Sequence, residues 1–119
     1  MNNESAVKTL TQDQLDALMR DNEFPPEIRH AAPVVAVVMT QDWCPQWTDM
    51  AAYLPDFAHR AAIFTVEYNR LPDFERIMRF KETIFKNGEV PYLRVYREGS
   101  LVRTSNWIPR SAFERILSE

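Results

Sequence analysis

At 119 residues, with 45% hydrophobic and 12% aromatic content, the chain is the size of one domain and can bury a single core without disulfide or metal staples. Its net charge of -3 and its evenly scattered lysines and arginines leave no basic stripe to neutralise phosphates, which argues against nucleic acid as a partner. One cysteine and 2 histidines, far apart in sequence, exclude an internal disulfide and show no metal-ligand spacing, so neither metal nor cofactor is expected.

The first eight residues or so are polar and aperiodic and read as a loose end. The segment MNNESAVKTL has neither the basic start nor the apolar run of a secretory signal, and no later run approaches a membrane span. A soluble, reducing, cytoplasmic setting is expected. A helix should start near Thr11, where Thr11 and Gln14 have capping-box spacing and Leu10 and Leu15 that of a hydrophobic staple. Its stripe is Leu15, Leu18 and Met19, and it stops at Asp21-Asn22. Phe24-Pro25-Pro26 predicts a rigid extended connector, because each proline sets its own φ and keeps the residue before it out of the α region.

After Pro33, the run Val34 to Met39 is apolar, β-branched and too short for a typical helix, which predicts a strand buried on both faces. Thr40, Gln41 and Asp42 follow as a polar turn. Trp43 and Cys44 then precede Pro45, a residue suited to the first position of a helix. The cysteine therefore falls at a strand-to-helix junction, where unpaired N–H groups and the helix dipole favour a thiolate over a thiol. From Pro45 to about Arg60, residues Trp47, Met50, Ala51, Leu54, Phe57 and Ala58 share one side of a helix that Pro55 should bend or break near Ala51 to Leu54. Ala62 to Tyr68 is the next strand, so that strand, helix and strand form a right-handed parallel crossover.

From Pro72, the spacing of Phe74, Ile77, Met78, Phe80 or Lys81, and Ile84 predicts a helix that Asn87-Gly88 ends. Tyr92 to Tyr96 and Leu101 to Ser105 read as antiparallel strands joined by Arg97-Glu98-Gly99-Ser100, with glycine where positive φ is expected. A last helix from about Pro109 to Leu117 turns Phe113, Ile116 and Leu117 to the sheet. Glu75, Arg76, Arg79, Lys81, Glu82, Glu114 and Arg115 read as solvated faces of the last two helices, and His30 and His59 as surface or packing residues.

A parallel βαβ half followed by an antiparallel ββα half, with Trp43-Cys44 at the first strand-to-helix turn, Val90-Pro91 before the hairpin and Glu98-Gly99 at its turn, resembles the thioredoxin fold. The resemblance runs from about Pro33 to Leu117 within a single domain spanning 1–119. It implies an α/β sandwich of three layers around a mixed sheet, with an extra N-terminal helix. It also implies that Val90-Pro91 is cis and faces Cys44. By the same likeness a target would rest on Trp43, Pro45, Gln46 and Trp47 of the WCPQW motif, on Val90 and Pro91, and on the loop near Asn106 and Trp107. Three departures limit what carries over. Trp47 stands where thioredoxins have their second, resolving cysteine, and Val38 falls near the position of their buried acid. Asn106-Trp107 replaces a glycine-bearing loop.

Two readings of Cys44 remain open, a reactive thiol or a small buried hydrophobe. The first implies a monothiol redox protein that forms mixed disulfides with proteins or small thiols, with an external thiol for release and no self-contained dithiol reductase activity. The second implies a catalytically silent interaction or chaperone-like module, with Trp43, Trp47 and Trp107 forming an apolar patch. Asp42 beside the thiol would oppose its ionisation and, with the lack of a resolving cysteine, weakens a peroxide-sensing role. A monomer or weak dimer is expected.

Overall fold

The computed structural model describes residues 7–119. Its central strand is β2 (Val34–Thr40), buried from Val35 onward. Because strand side chains alternate, Val35, Val37 and Met39 enter one core while Ala36 and Val38 enter the other. On one side β2 pairs in parallel with β3 (Ala62–Glu67), from Val35 opposite Ala62 to Thr40 opposite Glu67. On the other it pairs antiparallel with β4 (Tyr92–Arg97), Val38 facing Leu93. The edges are β1 (Val7–Thr9), parallel to β3, and β5 (Ser100–Ser105), antiparallel to β4, giving the order β1-β3-β2-β4-β5.

Strand β1 corrects the expectation of a loose end through residue 8. Val7 pairs with Ile63 and is half-buried against the second core. Three residues are too few to show a period, and an edge strand is recruited by the neighbour whose free N–H and C=O groups it satisfies. The rest of that segment, 1–6, lies outside the described residues.

One core joins the sheet to α1 (Gln12–Asp21), the single turn α2 (Pro26–Arg29) and α4 (Phe74–Thr83) through Leu15, Leu18, Ile28, Ile77 and Phe80. The opposite core joins it to α3 (Pro45–Tyr53), a following 3-10 turn (Leu54–Phe57) and α5 (Arg110–Ser118) through Trp47, Met50, Tyr53, Phe57, Phe113 and Ile116. Helix α1 begins in the expected capping box: the Gln14 N–H donates to Thr11 Oγ1 at 3.1 Å and the Thr11 N–H to Gln14 Oε1 at 2.9 Å. Pro55 ends α3 as its missing N–H requires, and the chain tightens into the 3-10 turn.

Three expectations are corrected here. Pro25 is extended, but Pro26 opens helix α2, since the first helical position loses nothing by lacking an N–H. Helix α4 stops at Thr83, before Asn87-Gly88. This leaves Ile84 45% exposed, while Phe85 stacks edge-on with Phe80 and tilted against Phe24 and Tyr92. Lys81, read as solvated, is only 1% exposed. Among the described residues no helix is long and apolar enough to cross a membrane.

Candidate functional site

Cys44 is the N-cap of α3, with an extended backbone, and Pro45 occupies the first helical turn. The sequence folds this way because β2 ends where the apolar run ends, and Pro45 cannot continue a sheet ladder but can start a helix. The turn before it is clamped. Asn69 accepts the Asp42 N–H at 3.0 Å and donates back to Asp42 Oδ1 at 2.7 Å, and Arg70 donates to Asp42 Oδ2 at 2.8 Å. Asn69 and then Arg70 hold the Asp42 carboxyl below the usual carboxylate range. The charge expected to oppose the thiol is thus engaged by a guanidinium.

The Cys44 side chain packs into the α3–α5 core and is 5% exposed. Its Sγ lies 3.7 Å from the carbonyl oxygen of Val90, to which the thiol donates. The Val90-Pro91 peptide bond is cis. Asn106 fixes the loop that carries Val90, donating to the carbonyls of Pro91 at 3.0 Å and Glu89 at 3.3 Å and exchanging side-chain hydrogen bonds with Asn87. From the other side the Lys81 ammonium donates to the Asn87 carbonyl at 2.8 Å. These two side chains set where the Val90 carbonyl stands over the sulfur.

Beside the sulfur an open groove of about 430 Å³ is lined by Gln41, Trp43, Cys44, Pro45, Gln46 and Tyr68 on one side and by Glu82, Gly88, Glu89 and Val90 on the other. Trp43 is 63% exposed, and its indole N–H donates to Gln41 Oε1 at 2.6 Å. Tyr68 receives a hydrogen bond from Gln41 at 3.2 Å, and burial pushes its phenol above its ordinary pKa, so it stays neutral.

Of the residues singled out in the sequence, the groove brings together Trp43, Cys44, Pro45, Gln46 and Val90. Pro91 is buried behind it. Trp47 does not line it: the ring is 7% exposed, and its N–H donates to Glu67 Oε2 at 2.9 Å. Trp107 turns toward α3 instead, donating to Asp49 Oδ2 at 3.0 Å. An apolar patch built from all three tryptophans is therefore corrected, because Trp47 is inside. Tyr68, Glu82 and Glu89 were not legible as site residues, since each comes to the groove through tertiary placement and none lies in a motif, while Asn106, expected near a bound target, instead braces the loop that carries Val90. Among the described residues there is no group of three or more His, Cys, Asp or Glu that could hold a metal ion.

Solved structures similar to this one include many thioredoxins. A mutant thioredoxin from Halobacterium salinarum superposes with a TM-score of 0.69 at 13% identity, covering 99% of this chain and 93% of that one. Thioredoxin F from spinach chloroplast gives 0.68 at 15% identity, covering 99% and 96%. Thioredoxin O1 from Arabidopsis thaliana, in its oxidised state, gives 0.68 at 11% identity, covering 94% and 95%. No protein-family model and no curated protein matches the chain. The protein has the thioredoxin fold. Within that fold it is a divergent, single-cysteine form, with Trp47 where a second cysteine would stand and Val38, fully buried and apolar, near the place of an acid.

Proposed function

We propose that this protein is a monothiol redox protein that works through Cys44. The observation that carries the reading is the position of the sulfur at the start of α3, in the wall of a groove open to solvent, beneath the loop that holds Val90. Reaction requires the contact with Val90 to open, because a carbonyl accepts only from a protonated thiol. The Cys44 proton passes to solvent, and the thiolate attacks one sulfur of a partner disulfide in line with its S–S bond. A bond forms between Cys44 and that sulfur, the partner's S–S bond breaks, and the other sulfur leaves as a thiolate that takes up a proton. A second thiol, from a small molecule or another protein, then attacks the mixed disulfide and restores Cys44. Release therefore depends on the external thiol concentration.

Disulfide-bearing proteins and small thiols in a reducing, cytoplasmic compartment are the partners this chemistry suits, with the chain acting as a monomer or weak dimer. The test is turnover of a small symmetrical disulfide with excess monothiol as reductant. Activity that disappears in Cys44→Ser supports the reading. A sulfur that is modified only when the chain unfolds would overturn it. The 5% exposure of Cys44 beside a 63% exposed Trp43 favours the second reading in that event, an interaction module whose partners Cys44→Ser retains.

A further inference from the structure

The groove over Cys44 carries charge of one sign. Apart from Cys44 and the neutral Tyr68, its ionisable walls are Glu82, just before the end of α4, and Glu89, in the loop before Pro91. Both side chains are exposed, and among the described residues neither takes part in an ion pair. No lysine or arginine lines the groove; Arg79 and Lys86, near Glu82 in sequence, are exposed and lie outside its walls. Arg70 is held by Asp42 at 2.8 Å and Glu67 at 3.4 Å. Lys81 lies close enough to feel both Glu82 and Glu89, yet it is 1% exposed and gives its hydrogen bond to the Asn87 carbonyl. The exposed Trp43, its N–H already bound to Gln41, leaves an aromatic face free at the rim.

We infer that this groove selects its redox partner by positive charge. Resting on the monothiol reading, the inference names the substrate class: an extended peptide segment with lysine or arginine close to its reacting cysteine. Small thiols of the tripeptide kind, which carry carboxylates, are disfavoured. Two unpaired carboxylates lining one concave wall raise the local concentration of cations and lower that of anions, and the Trp43 ring adds a cation–π contact. The effect belongs to exposed groups and is screened by salt.

The full chain is treated, at low salt, with cationic, neutral and anionic methanethiosulfonates. Each places its thioalkyl group on Cys44 as a disulfide and releases methanesulfinate. Rates are divided by those of a small free thiol. The cationic reagent is expected to be favoured over the anionic one by about tenfold or more. That preference should shrink severalfold in the double variant Glu82→Gln, Glu89→Gln and in about 0.5 M salt. A normalised ratio near one, or one the double variant leaves unchanged, overturns the inference while leaving the thiol chemistry standing. If no reagent modifies the folded protein, the monothiol reading fails, and charge selection is decided separately. Cys44→Ser protein is titrated with a short Lys-rich peptide and its Glu-rich counterpart, read by the indole N–H resonance of Trp43. Preference for the basic peptide that the double variant loses supports the inference, and equal or absent binding refutes it.

Discussion

At the scale of single residues the site depends on side chains that never touch a ligand. Asn106 makes four hydrogen bonds with the loop that places Val90 over Cys44. Replacing it by alanine leaves the Pro91 and Glu89 carbonyls without that donor and should cost about 1–3 kcal/mol in urea unfolding. Cys44 should also become easier to alkylate in the folded state, because the loop over the sulfur is less firmly held. An unchanged alkylation rate would show that Asn106 only braces the loop and does not govern access. Trp47 was legible from its sequence position as the departure from a two-cysteine motif, and its place on the apolar side of the helix left burial open; the bond to Glu67 was not legible. Trp47→Ala should cost about 3–5 kcal/mol through lost packing. Trp47→Phe should cost about 1 kcal/mol, since it removes the bond to Glu67, which keeps Arg70 nearby at 3.4 Å.

At the scale of elements, local chemistry sets the ends while neighbours set the extents. The capping box of α1 was readable from Thr11 and Gln14 alone, and Thr11→Ala should lower stability by about 1 kcal/mol, measured as a shift of the urea midpoint. At the hairpin turn, Glu98 and Gly99 have φ of 51° and 82°, the pair of positive values that a two-residue turn of this hand needs. A Cβ at Gly99 would run into the His30 imidazole, and Arg29 donates to the Gly99 carbonyl at 2.8 Å. Gly99→Ala should cost about 1–2 kcal/mol from the left-handed backbone alone. His30→Ala in the same chain should recover only the steric remainder. The hairpin's outer strand β5 is exposed along most of its length, including Val102 at 50%. Its edge is interrupted by Arg103, which is paired with Glu119, the kind of charge that discourages edge-to-edge pairing.

For the whole molecule the notable feature is how much ionisable chemistry the α1–α4 core contains. Arg94, 6% exposed, donates to Glu23 at 2.7 Å, to Tyr96 at 2.8 Å and to Tyr92 at 2.9 Å, and its guanidinium lies 3.8 Å from the Phe85 ring centroid. Each of the three guanidinium nitrogens donates one of these bonds, while Glu23, a third exposed, also accepts from the Tyr96 hydroxyl and the Phe24 N–H, so Arg94→Met should cost about 1–3 kcal/mol. Lys81 sets a pH dependence. Burial, opposed by Glu82 and Glu89, pushes its pKa down to about 8 from 10.5. Between those values the unfolded chain holds a proton that the folded chain has released, so stability rises with pH across that window. The rise ends near pH 10, because burial lifts the Tyr53 and Tyr96 hydroxyls above their ordinary range and the unfolded chain then ionises first. Lys81→Met should abolish an increase of the order of 2 kcal/mol between about pH 8 and about pH 10. A wild-type profile flat over that interval would show that Lys81 is hydrated when folded.

The local pattern of the chain was enough to set out most of the elements, and their order with a few markers carried the resemblance to the thioredoxin fold. Val34 to Met39 read as a strand buried on both faces, Pro45 opened the helix after it and Pro55 marked its bend or break, and Glu98-Gly99 closed a hairpin. Each of these signals rests on one to six neighbouring residues, so it is complete within the sequence. Contacts distant in sequence decided the rest. Val7 to Thr9 became a strand because β3 offered an edge, and Lys81 was buried because the Asn87 carbonyl received its ammonium. Trp47 entered the core because Glu67 accepted its N–H. The groove itself joins residues 41–46 to Tyr68 and to residues 82–90; the resemblance anticipated Val90 beside Cys44, but no sequence pattern placed Tyr68, Glu82 or Glu89 there. Whether a side chain faces solvent, a partner or the sulfur of Cys44 is set by what packs against it, and that is a property of the folded chain alone.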